Sequence, residues 1–141
     1  MKTSCNLLII SILNLCLLNN VFAHGDGAPQ PVDTEGLEAL GEEWLTKNPY
    51  KGNELAIQIG ASGYGSNCAR CHGLDARSGG IAPDLRALKD TAEDDEWFIY
   101  RARGGSIRNG VTYMPRFEGL ISQEAMWAIR TYINSLPKDG L

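Results

Sequence analysis

The sequence predicts an all-α fold, and three observations carry that prediction. No stretch shows the sustained period-2 alternation that a half-buried strand needs. Three segments carry helix start and stop signals: one opening at Asn53, one running from Thr91 to Gly104-Gly105, and one from Ser122 to Pro137. The chain has 141 residues, which makes one domain the default and leaves it a limited core of its own.

Residues 1–23 read as a cleaved export signal. Lys2 supplies the positive start, Leu7 to Leu18 is an apolar run broken only by Ser11, Asn14 and Cys16, and Val21-Phe22-Ala23 resembles a cleavage site. Twelve helical residues span roughly 18 Å against a hydrocarbon core of about 30 Å, too short for an anchor. Leu15 before Cys16 is too large for a lipoprotein cleavage site. Cleavage after Ala23 leaves 118 residues with a formal charge of −5, which argues against nucleic acid and anionic membrane surfaces as partners.

Residues 24–52 form an extension ahead of a domain at 53–141. His24 to Val32 is rich in Gly and Pro; Leu37, Leu40, Gly41 and Trp44 then fit a short amphipathic helix that ends at Asn48-Pro49 and packs on the domain. Asn53 caps the next helix, through about Gly63, with Ile57, Gly60, Ala61 and Tyr64 on its buried stripe. Gly60 inside a helix costs up to about 1 kcal/mol relative to Ala. Close approach of another helix is the compensating gain.

That partner is the last helix, capped by Ser122 and stopped by Pro137, with Ala125, Ile129, Tyr132, Ile133 and Leu136 as its apolar stripe. The two helices are expected to cross near Gly60, with Tyr64 and Tyr132 at the contact. Between them, Thr91 and Asp94 resemble a capping box. The acids at 93–96 fall in the first turns of that helix, and Arg101 and Arg103 in the last, as the macrodipole favours.

After signal removal the only cysteines are Cys68 and Cys71, in "CARCH". A disulfide closing so short a loop would stabilise little. A redox dithiol wants a βαβ context that is missing here. A structural zinc site needs four ligands, and the only histidine besides His72 is His24, at the start of the mature chain. Covalent haem fits best: in C-x-x-C-H each thiol adds to a vinyl group of haem c, and the adjacent His72 reaches the iron from one face. The export signal agrees, because haem is attached outside the cytoplasmic membrane.

Three side chains compete for the other face of the iron. Met114 stands before Pro115, which pushes it out of helical geometry and into a loop. Met126 lies inside a helix pattern and reads as a packing methionine. His24 sits near a chain end. Met114 is therefore the expected ligand. The stretch Ala82-Pro83-Asp84-Leu85 offers the Pro83 carbonyl to the second ring nitrogen of His72. Of Arg101, Arg103, Arg108 and Arg116, one is expected to meet a haem propionate.

Gly60, Tyr64, Cys68-x-x-Cys71-His72, Pro83, Met114-Pro115 and Tyr132 resemble, in order and spacing, the class I cytochrome c pattern over residues 53–137. The resemblance implies three to five helices around one haem, with His72 and Met114 as axial ligands. From Gly36 to Leu88 the chain looks like the cytochromes c-550 that serve pyrroloquinoline-quinone (PQQ) alcohol dehydrogenases. That likeness implies a periplasmic carrier taking single electrons from such a dehydrogenase and passing them towards a terminal oxidase or another cytochrome.

A filled sixth position suits electron transfer rather than ligand chemistry. The expectation is thus a soluble, monomeric electron carrier and not an enzyme. A small haem peroxidase or ligand-binding sensor would need Met114 to be absent from the iron or easily displaced. A permanently bound dehydrogenase subunit is the third reading.

Overall fold

The computed structural model describes residues 28–141; the export signal placed at 1–23 and the first residues of the extension lie outside them. Among the described residues there are four α-helices: α1 (Glu54–Asn67), α2 (Ala69–His72), α3 (Ala92–Gly104) and α4 (Gln123–Ser135). Single 3₁₀ turns lie at Leu74–Ala76 and Leu85–Ala87. The strands β1 (Ser106–Arg108) and β2 (Val111–Met114) pair antiparallel between α3 and α4.

Helix starts follow the capping chemistry. The side chains of Asn53, Thr91 and Ser122 accept hydrogen bonds from Ala56 N, Asp94 N and Ala125 N respectively, each meeting a donor that the first turn leaves unpaired. The Asp94 carboxylate turns instead to Lys89 N, at 2.6 Å, so only half of the capping box forms.

α1 runs four residues past the stop read at Gly63. The missing Cβ of Gly63 makes room there for Val32 and Ile129, where an added one would sit 3.2 Å from each. The buried positions of α1 are Ala56, Gly60, Gly63 and Tyr64, whereas Ala61, expected on that stripe, is exposed.

α1 and α4 cross at Gly60. A Cβ on Gly60 would lie 2.0 Å from the Ala128 carbonyl oxygen and 2.9 Å from Tyr132 Cβ, so the helices meet backbone to backbone. Tyr64 and Tyr132 pack beside the crossing, with ring centroids 5.5 Å apart. α4 is buried on more than the stripe read from its sequence: Trp127, Ala128, Arg130 and Thr131 are covered as well.

Part of that covering comes from the extension, and here the expected helix at 37–44 is absent. Residues 28–53 run as turns and irregular chain, with Gly36 and Gly41 at φ +87° and +77°. A few turn bonds, such as Leu37 N to the Thr34 carbonyl at 3.1 Å, join the extension to itself, and other backbone groups bond to α4 side chains. Leu40 N donates to Glu124 Oε1 at 2.9 Å, Leu45 N donates to Gln123 Oε1 at 2.7 Å, and Gln123 Nε2 donates to the Glu43 carbonyl at 3.0 Å. The apolar spacing was real, since Leu37, Leu40 and Trp44 do pack on the core. The left-handed glycines break the helix that the spacing suggested.

Beneath the extension lies a fully buried ion pair. Arg130 Nε donates to Asp95 Oδ1 at 2.9 Å, both side chains being 0% exposed. Asn48 N donates to the other carboxylate oxygen at 3.1 Å, and Lys51 Nζ approaches it to 3.3 Å. Asn48 Nδ2 bonds Thr131 Oγ1 at 2.9 Å. This network joins the extension, α3 and α4.

Two outcomes test these contacts. Gly60→Ala is expected to cost about 1–3 kcal/mol by overpacking against backbone; chemical denaturation with a midpoint equal to the parent's would place the crossing elsewhere. Arg130→Met leaves Asp95 buried without its main partner and is expected to cost about 3–5 kcal/mol. A loss within the range of a surface substitution, measured the same way, would show that the pair is not buried.

Candidate functional site

Cys68 joins α1 to α2. Its N–H donates to the Tyr64 carbonyl at 2.8 Å, and its own carbonyl accepts from Cys71 N at 3.1 Å and His72 N at 3.0 Å. The three side chains therefore ride on one helical turn. Gly73 ends that turn at φ +81°, and a Cβ there would strike the Arg77 carbonyl at 1.8 Å. Tyr64 Oη donates to the Gly73 carbonyl at 2.8 Å, tying this turn back to the helix crossing.

No disulfide joins Cys68 to Cys71. Burial, with the neighbouring Cys71 adding to it, pushes the Cys68 thiol up to about 12. Among the described residues no group of three or more His, Cys, Asp or Glu side chains is placed to hold a metal ion, so the zinc reading has no donor set there.

His72 is 8% exposed, and its Nδ1 lies 2.9 Å from the Pro83 carbonyl oxygen. A carbonyl only accepts, so Nδ1 carries the proton and Nε2 keeps a lone pair for coordination.

The two thiols, His72 and Met114 line one cavity of about 510 Å³, within the range of small-molecule and cofactor sites. Its apolar wall includes Leu85, Phe98, Phe117, Met126 and Ile129. A haem with two attachment points, a nitrogen ligand and a thioether ligand fits this donor set and this lining. Met126, weighed as a rival ligand, is 1% exposed and contributes to the wall. His24, the other rival, lies outside the described residues.

Met114 does not stand in the loop expected for it. It is the last residue of β2 and is half-buried. Asn109 and Gly110, at φ +50° and +77°, turn the hairpin. Gly105, at φ +68°, lets α3 end against the strand: a Cβ there would be 2.4 Å from the Met114 carbonyl oxygen. Phe117 N then donates to the Ala102 carbonyl at 3.1 Å, fastening the chain after Met114 to the C-terminal end of α3.

Of the four arginines read as propionate partners, Arg101 and Arg108 line the cavity. Arg101 Nη1 donates to the Gly105 carbonyl at 2.9 Å, and its guanidinium lies 5.6 Å from the Trp97 ring, another lining residue the sequence reading missed. Arg103 is engaged elsewhere, by Glu118 at 2.7 Å and over the Trp44 ring at 4.3 Å. Ile81 and Tyr113 are lining residues that stay 80% and 65% exposed, so they stand at the cavity's mouth.

Comparison with known proteins agrees with this chemistry. Residues 55–133 match the family described as cytochrome c oxidase, cbb3-type, subunit III. The chain is 54% identical over 135 residues to cytochrome c550 of Pseudomonas aeruginosa, covering 93% of each. It is 38% identical over 88 residues to the quinohemoprotein alcohol dehydrogenase ADH-IIG of Pseudomonas putida, which is 62% of this chain and 12% of that protein. A cbb3-type cytochrome c oxidase subunit, FixP of Rhizobium meliloti, is 29% identical over 122 residues, 77% of this chain and 39% of that one. No solved structure matches the chain significantly.

Proposed function

Since the chain belongs to the class I c-type cytochromes, we propose that it is a periplasmic shuttle carrying single electrons from a PQQ-dependent alcohol dehydrogenase towards a terminal oxidase. That it is an electron-transfer protein with covalently bound haem c, and not an enzyme, follows from the family. The finer reading is our own. Its main support is the likeness to cytochrome c550 along nearly the whole of both chains. Related segments inside a quinohemoprotein alcohol dehydrogenase and a cbb3-type oxidase subunit point to the same two kinds of partner. The export signal read at residues 1–23 supports the periplasm, and no helix among the described residues is long and apolar enough to cross a membrane.

The side chains divide the work. Cys68 and Cys71 would attach the haem, and His72 and Met114 would hold its iron. When bound, haem c supplies a one-electron ferric–ferrous couple. His72, its Nδ1–H engaged by Pro83, keeps one orientation and a raised basicity. Met114 supplies a soft thioether, of the kind that raises the potential in His/Met cytochromes. Phe98, Phe117 and Ile129 form an apolar wall beside both. Ile81 and Tyr113 offer an apolar rim to a partner, which suits a small, short-lived interface. The domain at 53–141 holds every one of these groups, with residues 28–52 of the extension bracing it.

Two measurements test the reading. Met114→Ala is expected to lower the potential and to let the ferrous protein bind carbon monoxide; an unchanged spectrum and potential would refute the ligand assignment. In stopped flow, a reduced PQQ alcohol dehydrogenase is expected to turn the ferric protein ferrous at a rate that varies with ionic strength. Absence of the ferrous spectrum on that timescale would remove the dehydrogenase as donor and leave the carrier assignment standing.

A further inference from the structure

We propose that Arg86 is a positioning residue for His72, acting through Asp84 on the Pro83 carbonyl, and that the C-terminal segment at 138–139 holds it there. The inference rests on the reading that His72 coordinates iron.

Pro83 has no N–H, so nothing can anchor its own nitrogen. The neighbours on both sides are anchored instead. Ser78 Oγ donates to the Ala82 carbonyl. The Asp84 carboxylate accepts from Arg86 N at 3.0 Å, capping the 3₁₀ turn, and from Ser78 N at 3.4 Å. Arg86 then grips the same carboxylate at two points, Nε to Oδ1 at 3.0 Å and Nη2 to Oδ2 at 2.7 Å. Its third arm, Nη1, donates to the Asp139 carbonyl at 2.8 Å.

The Arg86 side chain is only 5% exposed. A guanidinium this covered on a surface loop, with three arms engaged, is a built feature and not a solvated charge. Lys138 Nζ closes the clasp from the other side, donating to the Arg86 carbonyl at 2.8 Å and the Leu88 carbonyl at 3.2 Å. Arg77 adds an outer contact to the Asp139 carboxylate at 2.9 Å.

The Pro83 carbonyl is thus held between two fixed residues, and what it holds is the His72 Nδ1–H. The strength and direction of that bond set the basicity of the ring. Only a planar fork can hold Asp84 at two points and still reach Asp139; a lysine keeps the charge and loses the geometry.

The test is Arg86→Lys in the holoprotein. In the ferrous state, NMR follows the exchange of the His72 Nδ1 proton with solvent, and titration gives the potential. The substitution is expected to speed exchange by roughly tenfold, the factor to which the typical net worth of one hydrogen bond corresponds. It is also expected to raise the potential, because a weaker Nδ1–H···O bond makes the ring a poorer donor to ferric iron. Ile99→Val, a buried change on α3 that neither lines the cavity nor belongs to the clasp, is expected to lower stability and move neither readout.

Unchanged exchange and potential in R86K overturn the proposal, as does a control that shifts both equally. Should R86K not accumulate as folded holoprotein, the chain ended after Pro137 decides. It removes the acceptor of Nη1 and both Lys138 contacts, and parental values there overturn the proposal. The unaltered protein checks the underlying reading separately: a ligating His72 shows ring protons strongly displaced by the macrocycle's ring current, and their absence defeats the ligand assignment rather than the clasp.

Discussion

At Gly60 two helices meet with no side chain between them, and the functional site is aligned from that contact. α1 approaches α4 until an added Cβ would overlap the Ala128 carbonyl. The approach fixes where α1 ends, and its end carries Cys68 directly into the turn holding Cys71 and His72. Tyr64 joins the two facts physically: its ring packs on Tyr132 at the crossing, and its hydroxyl holds the Gly73 carbonyl just past His72. α4 meanwhile lends Met126 and Ile129 to the cavity wall. A helix pair held apart by larger residues would move the cysteine turn away from that wall.

The other side of α4 meets the extension. A helix carrying Arg130, Thr131 and Gln123 on buried positions needs partners that an apolar sheet or helix would not provide. Asn48, Lys51 and the irregular backbone of 40–45 are those partners. Irregular chain suits the task because its free N–H and C=O groups can bond outward. Arg130 also lies 5.8 Å from the Phe98 ring, and Phe98 lines the cavity. The extension therefore braces the cofactor wall through a buried charge pair, keeping the packing role its sequence suggested without the helix.

Most of the site was legible because its chemistry is local. C-x-x-C-H is five consecutive residues, Pro83 stands eleven residues from His72, and a glycine inside a helix pattern announces close packing. What escaped was decided by non-local geometry or by segments too short for periodicity to register. The strands have three and four residues, below the length at which alternation can be judged, although Asn109-Gly110 is itself a strong hairpin signal. The extension showed helical spacing, but backbone torsions at Gly36 and Gly41, and hydrogen bonds to residues some eighty positions away, overrode it. The buried Asp95–Arg130 pair gave no sign, since Asp95 reads as one of four acids at a helix start and Arg130 as a polar position on an amphipathic helix.

The two sides of the cavity are held differently. His72 is buried on a turn bound to α1, with its ring fastened to a carbonyl whose neighbours are clamped by Arg86 and Ser78. Met114 sits half-buried at the end of a short hairpin whose outer residues, Ile107 and Val111, face solvent, and its principal restraints are the Gly105 approach and the bond from Phe117 to Ala102. Segments with few buried contacts and exposed backbone open at the lowest free energies. In the proposed ligation the sulfur side is therefore the side that yields first. The His72 side, buried and fastened to the Pro83 carbonyl, is the side the fold holds in place. That ordering suits a carrier: the groups that place the haem are the rigid ones, and the softer ligand stands on a hairpin whose exposed Tyr113 reaches the cavity mouth, where a partner would dock.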